Sequence, residues 1–229
     1  MVILIKNALR VVTMDNKKTI ISDGAVLIDG NQIKFVGKTE EIAKRLTTYD
    51  LRLMTSIDAT NCIVLPGFVN THHHLYQTLN RVIPEVQNAK LFDWIKFLYE
   101  LWRNITPEWV YISAQVGIAE LLLTGCTTTL DQFYIFPKNQ PKDLIDYEIE
   151  SAKELGIRFH LARGAMSRGK SLGGLPPDDL VQKENDILND YERVIDKFHD
   201  DKKFSMCRVL LAPCSPFSVT DELLIETAK

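Results

Sequence analysis

Paired cysteines, long apolar runs and an excess of charge of one sign are all missing from this chain of 229 residues. No apolar stretch approaches the roughly 18 to 20 residues that a bilayer-spanning helix needs. The net charge of −3 favours neither a nucleic acid nor an anionic membrane as a partner. Four cysteines lie far apart without a CxxC pair, which predicts buried thiols in a reducing compartment and no disulfide framework or zinc knuckle. They are Cys62, Cys126, Cys207 and Cys214.

The composition is that of an ordinary globular protein, with 25% charged and 45% hydrophobic residues. A chain of this length can bury a substantial core. Residues 1–5 read as a short apolar strand without a charged leader or cleavage site. We therefore expect no secretion signal and a cytoplasmic location.

The most informative segment is residues 66–74, which read Pro-Gly-Phe-Val-Asn-Thr-His-His-His after an apolar run. Side chains alternate along an extended segment, so His72 and His74 should point to one side and His73 to the other. Two converging imidazoles form half of a metal site, because imidazole is the commonest protein ligand for zinc-like ions. We expect structural contacts for His73. The alternative is a surface loop that happens to hold three of the five histidines.

Residues 1–66 predict a small β domain, which we expect to be sandwich-like. Asp29-Gly30-Asn31 separates two of the predicted strands and is a hairpin signal. One short helix is predicted over residues 40–46, and Pro66-Gly67 marks the exit from the domain. The predicted strands cover residues 2–5, 11–14, 25–28, 32–36 and 57–59.

From residue 67 onward, predicted strands alternate with predicted helices. This order indicates a parallel sheet with helices outside it. Because the histidines end the first strand, where barrel enzymes keep their chemistry, a β/α barrel is favoured for residues 67–229. A doubly wound sheet stays open, although no GxGxxG loop follows a strand. The predicted strands are 67–71, 127–130, 157–162 and 207–212, and the predicted helices are 91–102, 107–123, 143–155, 179–199 and one after Thr220.

Residues 66–74 resemble the first-strand motif of the amidohydrolase superfamily, Pro-Gly-apolar-apolar-Asn-x-His-x-His. Three further runs are similar to its 8-oxoguanine deaminase branch, which belongs to the cyclic-amidine deaminases and has guanine deaminases and triazine hydrolases as near relatives. These runs are residues 72–81, 91–94 and 164–169. The resemblance implies an α/β fold, a metal-dependent-hydrolase TIM-type β/α barrel after the small β domain. Four strand–helix units are found where a closed barrel needs eight, so the barrel is incomplete and the chain corresponds to the N-terminal half.

The resemblance also implies a chemistry. His72 and His74 would bind zinc, or another divalent metal such as iron, with one ion per complete site. Water would attack the ring carbon that carries the amino group of a purine-like cyclic amidine of the 8-oxoguanine or guanine type, and ammonia would leave. The remaining metal ligands and the acid–base glutamate would lie on later strands. We therefore identify no catalytic residue in this chain.

Two residues are candidates for substrate binding. Gln77 lies where the first loop of the family touches substrate, and its amide offers both a donor and an acceptor; the alternative is a turn role. Arg163 ends the third barrel strand, where a guanidinium suits a carbonyl oxygen or an acidic heterocycle; the alternative is a structural ion pair. Gln132 stands where relatives commonly carry histidine, which weakens the assignment to 8-oxoguanine in particular.

Two rival functions stay open. One is a triazine chlorohydrolase or aminohydrolase, since fold cannot choose between leaving groups. The other is a catalytically inactive half-barrel that needs a partner chain, because an open parallel sheet exposes edges that invite pairing. The expected partners are a small heterocyclic substrate and either a second copy of this chain or a complementing C-terminal half, with no nucleic acid and no membrane.

Overall fold

The fold was obtained as a computed structural model, which describes residues 1–229 apart from the side chain of Leu51. The chain divides into two compact units, Met1–Gly67 and Phe68–Lys229. None of the helices in the described part of the chain is both long and apolar enough to cross a membrane.

The first unit is a five-stranded sheet in which β1 pairs with β2, β4 and β5, and β2 pairs with β3. The β1–β2 and β2–β3 pairs are antiparallel, whereas β4 and β5 run parallel to β1. The predicted hairpin is confirmed at Gly30, whose φ of 60° suits a residue without a side chain. The strands are β1 (Val2–Val12), β2 (Ile20–Asp29), β3 (Gln32–Lys38), β4 (Met54–Asp58) and β5 (Ile63–Val64).

Three expectations for this unit were wrong. The strands predicted at residues 2–5 and 11–14 are one strand, because an irregularity between Ile5 and Ala8, with Asn7 at a φ of 60°, lets β1 continue. The predicted helix is instead a 3-10 helix, Thr39–Lys44. A sandwich needs two facing sheets, and the described residues of this unit form one sheet whose core includes Ile42 from that 3-10 helix.

The second unit contains a four-stranded sheet in the sequential order β6-β7-β8-β9, with every neighbouring pair parallel. Helices and 3-10 helices connect the strands, as the alternating pattern predicts. The strands are β6 (Phe68–Asn70), β7 (Cys126–Phe133), β8 (Arg158–Ala165) and β9 (Cys207–Pro213). The α-helices are α1 (Leu91–Trp102), α2 (Pro107–Leu123), α3 (Leu144–Leu155), α4 (Glu184–Phe198) and α5 (Asp221–Thr227). The remaining 3-10 helices are Leu46–Thr48, Leu51–Leu53, Leu75–Asn80, Pro84–Val86 and Lys170–Leu172.

Local chemistry sets the helix ends. The Thr106 side chain accepts a hydrogen bond from the Trp109 N–H, and Pro107 begins α2, which confirms the predicted cap. Thr220 caps α5 in the same way. Gly156 ends α3 in the left-handed region at a φ of 77°, where a residue without Cβ is favoured.

Helix α4 begins five residues later than its periodicity predicts. The N–H of Gln182 donates to the carbonyl of Met166 at 2.9 Å, so the chain before Glu184 is bonded to the residue that follows β8 and not to a helical turn. Tertiary hydrogen bonding has overridden an amphipathic pattern that the sequence shows clearly.

The cysteines are free, as predicted, but their burial differs from the expectation. Cys126 is buried and Cys207 and Cys214 are partly buried, whereas Cys62 is exposed. Cys62 lies in the turn between β4 and β5.

The two faces of the parallel sheet have different environments. Leu161 and Val209 belong to the main core together with residues of α1, α2 and α3. Neighbouring positions on the strands point to the opposite face, where Leu210 is 40% exposed. That face bounds a cavity of about 250 Å³ whose lining includes Leu130, Gln132, Ala162 and Ala212. Helices therefore cover one face, and the other carries an open hollow.

We expect Leu161→Ala to lower the free energy of unfolding by about 2–5 kcal/mol, because it removes a fully buried side chain from the central strand. The matched control is Leu123→Ala, since Leu123 is 88% exposed, and its effect should stay within about 0.5 kcal/mol. Urea denaturation followed by circular dichroism measures both. Equal effects for the two leucines would contradict the assignment of the core.

Candidate metal and substrate site

The histidine segment continues in extended form beyond β6. The N–H of His72 donates to the side-chain oxygen of Asn70 at 3.2 Å, which fixes the chain as it leaves the strand. The rings of His72 and His74 lie edge to face with centroids 5.2 Å apart. His73 points elsewhere, and its Nδ1 lies 3.7 Å from Oδ1 of Asp131. The structure therefore brings together the two histidines that alternation pairs, and it separates the third.

The end of β7 holds this segment through the backbone of Gln132. Its N–H donates to the carbonyl of His73 at 3.0 Å. Its carbonyl oxygen lies 2.9 Å from Nδ1 of His74. A carbonyl can only accept, so Nδ1 of His74 carries the proton and Nε2 keeps its lone pair, the state of a histidine prepared to bind a metal ion.

Burial reinforces that state. It lowers the pKa of His74 below the usual histidine value, although the bond to Gln132 and the charge of Asp131 act in the opposite direction. His74 is therefore neutral at pH 7, and a neutral imidazole is the form that binds metal ions.

Leu75, the next residue, is held from two sides. Its N–H donates to Oδ1 of Asp131 at 2.5 Å. Its carbonyl accepts from the Ser113 hydroxyl of α2, also at 2.5 Å. Gly117, one turn further along α2, faces Leu75 so closely that a Cβ there would lie 2.6 Å from the leucine side chain. The segment is thus fixed between β7 and α2.

An aromatic cluster formed by Tyr76, Trp102, Phe133 and Tyr134 lies behind the histidines. The Tyr76 ring makes edge contacts at centroid distances of 5.2 Å to Trp102, 5.4 Å to Phe133 and 5.6 Å to Tyr134. Tyr134 also meets the His74 ring at 5.6 Å. These rings are buried, and perpendicular aromatic pairs add about 0.5–1.5 kcal/mol each beyond area burial. The His74 ring therefore packs against a rigid apolar cluster.

The donors present fit half of a metal site. Two neutral imidazoles are suitable zinc ligands, but a catalytic zinc site normally has three protein ligands and an open position. Within the described residues, no group of three or more histidine, cysteine, aspartate or glutamate side chains is placed to hold an ion.

Three cavities meet at the histidines. The largest, about 600 Å³, is lined by His72, His73, His74 and Gln77 and by the segment that follows them. A second, about 310 Å³, extends from His74 over Gln132. Its other walls come mainly from apolar and aromatic residues, namely Leu91, Phe92, Ile95, Tyr99, Tyr134, Met166, Leu175, Cys214 and Phe217. The third is the 250 Å³ hollow on the open sheet face.

Gln77 lies in the largest cavity beside all three histidines. Its Nε2 donates to the hydroxyl of Tyr76 at 3.2 Å. The Gln132 side chain donates from Nε2 to the carbonyl of Ala212 at 3.1 Å, so it reaches across β8 to β9. Both amides keep an oxygen that can accept a further bond.

Arg163 does not reach these cavities, which corrects the expected substrate contact. The side chain is fully buried, and its Nε donates to Asp190 of α4 at 2.7 Å. Nη2 donates to Gln182 at 3.1 Å, and the guanidinium lies 3.8 Å from the centre of the Phe136 ring. Alternation along β8 places Arg163 on the helix-covered face, because its neighbour Ala162 lines the open one. The structural ion pair, the alternative for this residue, is what the structure contains.

Asp131, Tyr134 and the wall residues Phe92 and Phe217 were not singled out by sequence reasoning. The two phenylalanines make an edge contact at 5.4 Å from segments more than a hundred residues apart. No local pattern brings such residues together. For Asp131 a signal existed, since an aspartate beside a predicted strand of a parallel sheet is rarely buried without a partner.

Comparison with known proteins identifies the family. The model of the amidohydrolase family matches residues 63–229. An 8-oxoguanine deaminase from Pseudomonas aeruginosa is 40% identical over 98% of this chain and 48% of its own length. A hydroxydechloroatrazine ethylaminohydrolase from Pseudomonas sp. is 29% identical over 96% of this chain and 46% of its own length. The chain belongs to the amidohydrolase family.

Solved structures agree with this assignment. The zinc complex of an atrazine chlorohydrolase from Arthrobacter aurescens matches with a TM-score of 0.86 and 34% identity, over 96% of this chain and 48% of that one. The chain therefore has the mixed α/β fold of these structures and spans about half the length of the relatives it matches.

We expect Arg163→Ala to destabilise the fold by about 3–5 kcal/mol, because it leaves the Asp190 carboxylate buried without its partner. The control is Arg81→Ala, which breaks a half-exposed pair with Glu120 and should change stability far less, because solvent screens exposed ion pairs. Urea titration of both variants checks the difference. A stable Arg163→Ala protein would reopen a ligand-binding role for this arginine.

Proposed function

We propose that this chain supplies the N-terminal half of a metal-dependent hydrolase that deaminates a purine-like cyclic amidine of the 8-oxoguanine or guanine type and releases ammonia. The single observation that carries the proposal is the pairing of His72 and His74 after β6, at the meeting point of three cavities. The relationship to an 8-oxoguanine deaminase at 40% identity supports the substrate class.

The architecture that we propose is the first half of a TIM-type barrel. Residues 67–229 would provide four of the eight strand–helix units, and residues 1–66 the N-terminal part of a small β domain. The sequential parallel order of β6 to β9 supports this proposal, as do the helices on one face and the hollow on the other. The half-length match to relatives agrees with it.

His72 and His74 would hold one zinc ion, or another divalent metal such as iron, per complete site. The protonated Nδ1 and free Nε2 of His74 support this role. The related atrazine chlorohydrolase forms a zinc complex. A zinc ion bound at such a site would act as a Lewis acid and would lower the pKa of its bound water to about 7.

The chain's own residues would bind and orient the substrate. Gln77 offers an amide donor and acceptor, the pair that the carbonyl and ring N–H edge of a purine requires. The apolar walls beside Tyr134 and Phe217 would exclude water from a planar ring. No carboxylate lines the three cavities within the described residues. The proton carrier would therefore come from a segment beyond this chain.

A triazine hydrolase that removes chloride or an alkylamine is the second candidate. The related ethylaminohydrolase and the structural match to an atrazine chlorohydrolase support it. Gln132 also supports it, because the side chain borders both His74 cavities and is not the histidine expected of the 8-oxoguanine branch. Both candidates require a covering partner for the open sheet face, either a complementing C-terminal half or a second copy of this chain.

The purified chain alone should neither hold zinc stoichiometrically nor release ammonia from a heterocycle. Two imidazoles are fewer ligands than a catalytic zinc site has, and loss of a proton carrier alone typically costs about 10² to 10⁴ in rate. Metal analysis after dialysis and an ammonia assay check the two parts. One tightly bound zinc per chain with turnover would refute the expectation that ligands are missing.

Coexpression with the C-terminal half of the Pseudomonas aeruginosa relative should restore zinc binding and ammonia release from 8-oxoguanine or guanine. His72→Ala and His74→Ala should each abolish both properties, whereas His160→Ala, a matched loss of an imidazole from β8, should retain zinc. A panel of purines and triazines, scored for ammonia, chloride and alkylamine, separates the two candidates. Activity restricted to open-chain amides would eliminate both.

A further inference from the structure

Strand β7 holds the histidine segment at three consecutive residues. Gln132 binds the His73 carbonyl and the His74 ring through its backbone. Asp131 binds the Leu75 N–H through its carboxylate. Of these bonds, only the one to Asp131 uses a side chain of β7. A substitution on β7 can therefore remove this bond and leave the backbone bonds of Gln132 in place.

Asp131 is fully buried, which is costly for a carboxylate unless donors surround it. One donor is the Leu75 N–H at 2.5 Å, and the His73 ring lies 3.7 Å away. Hydrogen bonds to an ionised acceptor are roughly twice as strong as neutral ones. The buried carboxylate therefore binds the Leu75 N–H, directly after His74, more strongly than an amide of the same shape would.

Glu148 of α3 is a second fully buried carboxyl in this region, and it lies beside the Asp131 carboxyl, to which a protonated Glu148 can donate a hydrogen bond. Burial, followed by the charge of Asp131, raises the pKa of Glu148 well above its usual range. The protonated form of Glu148 is thus favoured, which limits the negative charge next to Asp131.

We propose that Asp131 is a positioning residue for the candidate metal ligands: its carboxylate fixes the turn at Leu75 and so holds His74 against the Gln132 carbonyl. Asp131 acts through the segment and touches neither His72 nor His74 with its side chain. This inference rests on the proposed metal role of the two histidines. The histidine motif does not imply it, because Asp131 lies on a different strand.

The test is Asp131→Asn in the 229-residue chain, which keeps shape and an acceptor oxygen and removes the charge. Nitrogen-15 NMR of the histidine rings should show His74 protonated at Nδ1 in the wild type and a mixture of tautomers in the variant. Titration with excess zinc should shift the His72 and His74 signals of both proteins. The variant should need zinc concentrations about 10–100-fold higher than the wild type, the usual loss of affinity when a residue that orients a metal ligand is removed.

Ser151→Ala is the matched control, because Ser151 is equally buried, lies on the same helix as Glu148 and makes no hydrogen bond to the segment. It should leave the His74 tautomer and the zinc titration unchanged. An equal effect in the control, or an Asp131→Asn protein with an unchanged tautomer and titration, would overturn the inference. If Asp131→Asn does not fold, the Leu75 amide proton of the wild type tests the inference. A hydrogen bond to the Asp131 carboxylate predicts a downfield shift and slow exchange for this proton. Rapid exchange would contradict the inference.

The same experiment separates the inference from the proposed function. If the wild-type His72 and His74 signals do not shift with zinc, either in the chain alone or after coexpression with the C-terminal half of the relative, the metal role is contradicted. A wild-type chain that responds, with an Asp131→Asn variant that responds equally, contradicts only the role of Asp131.

Discussion

The attachment of residues 73–75 to the carboxyl end of β7 is the constraint on which the site depends. Three hydrogen bonds from two adjacent residues, Asp131 and Gln132, set the path of the segment, the tautomer of His74 and the separation of His73 from its neighbours. Parallel pairing of β6 with β7 brings these groups to the same sheet edge. The geometry of the site therefore depends on the register of β6 and β7 as well as on the presence of the histidines.

The helix-covered face keeps that register. Its core residues and the buried pair of Arg163 with Asp190 join β8 to α4. Arg193 extends the network from Asp190 to Asp146 of α3, at 2.6 Å and 2.9 Å. A buried charge network of this kind contributes little net stability but penalises any arrangement that separates its members. The charged residues thus restrict how α3, α4 and β8 can pack together, while the apolar core supplies most of the stabilisation.

The sequence was sufficient to predict those features that depend on residues close together in the chain. Helices α1 and α2 have the predicted bounds, because the amphipathic spacing of α1 and the Thr106 cap of α2 are local signals. The extended alternation of His72 and His74 was predictable for the same reason. Arg163 was misassigned because its face depends on strand register, which a single strand does not reveal. Likewise, the role of Asp131 depends on a partner 56 residues away, and the cavity walls join segments that only the tertiary fold brings together.

Gly117 shows how the histidine segment constrains sequence change at a distance. A glycine within a helix costs about 0.5–1 kcal/mol relative to alanine, so helix stability alone would favour its replacement. A methyl group there would nevertheless meet Leu75 at 2.6 Å and Thr78 at 2.8 Å, distances that force one of them to move. Substitutions chosen to strengthen α2 would thus displace the residue that follows His74. Raising the thermal stability through helix propensity and preserving the geometry of the candidate metal ligands are competing design goals at this position.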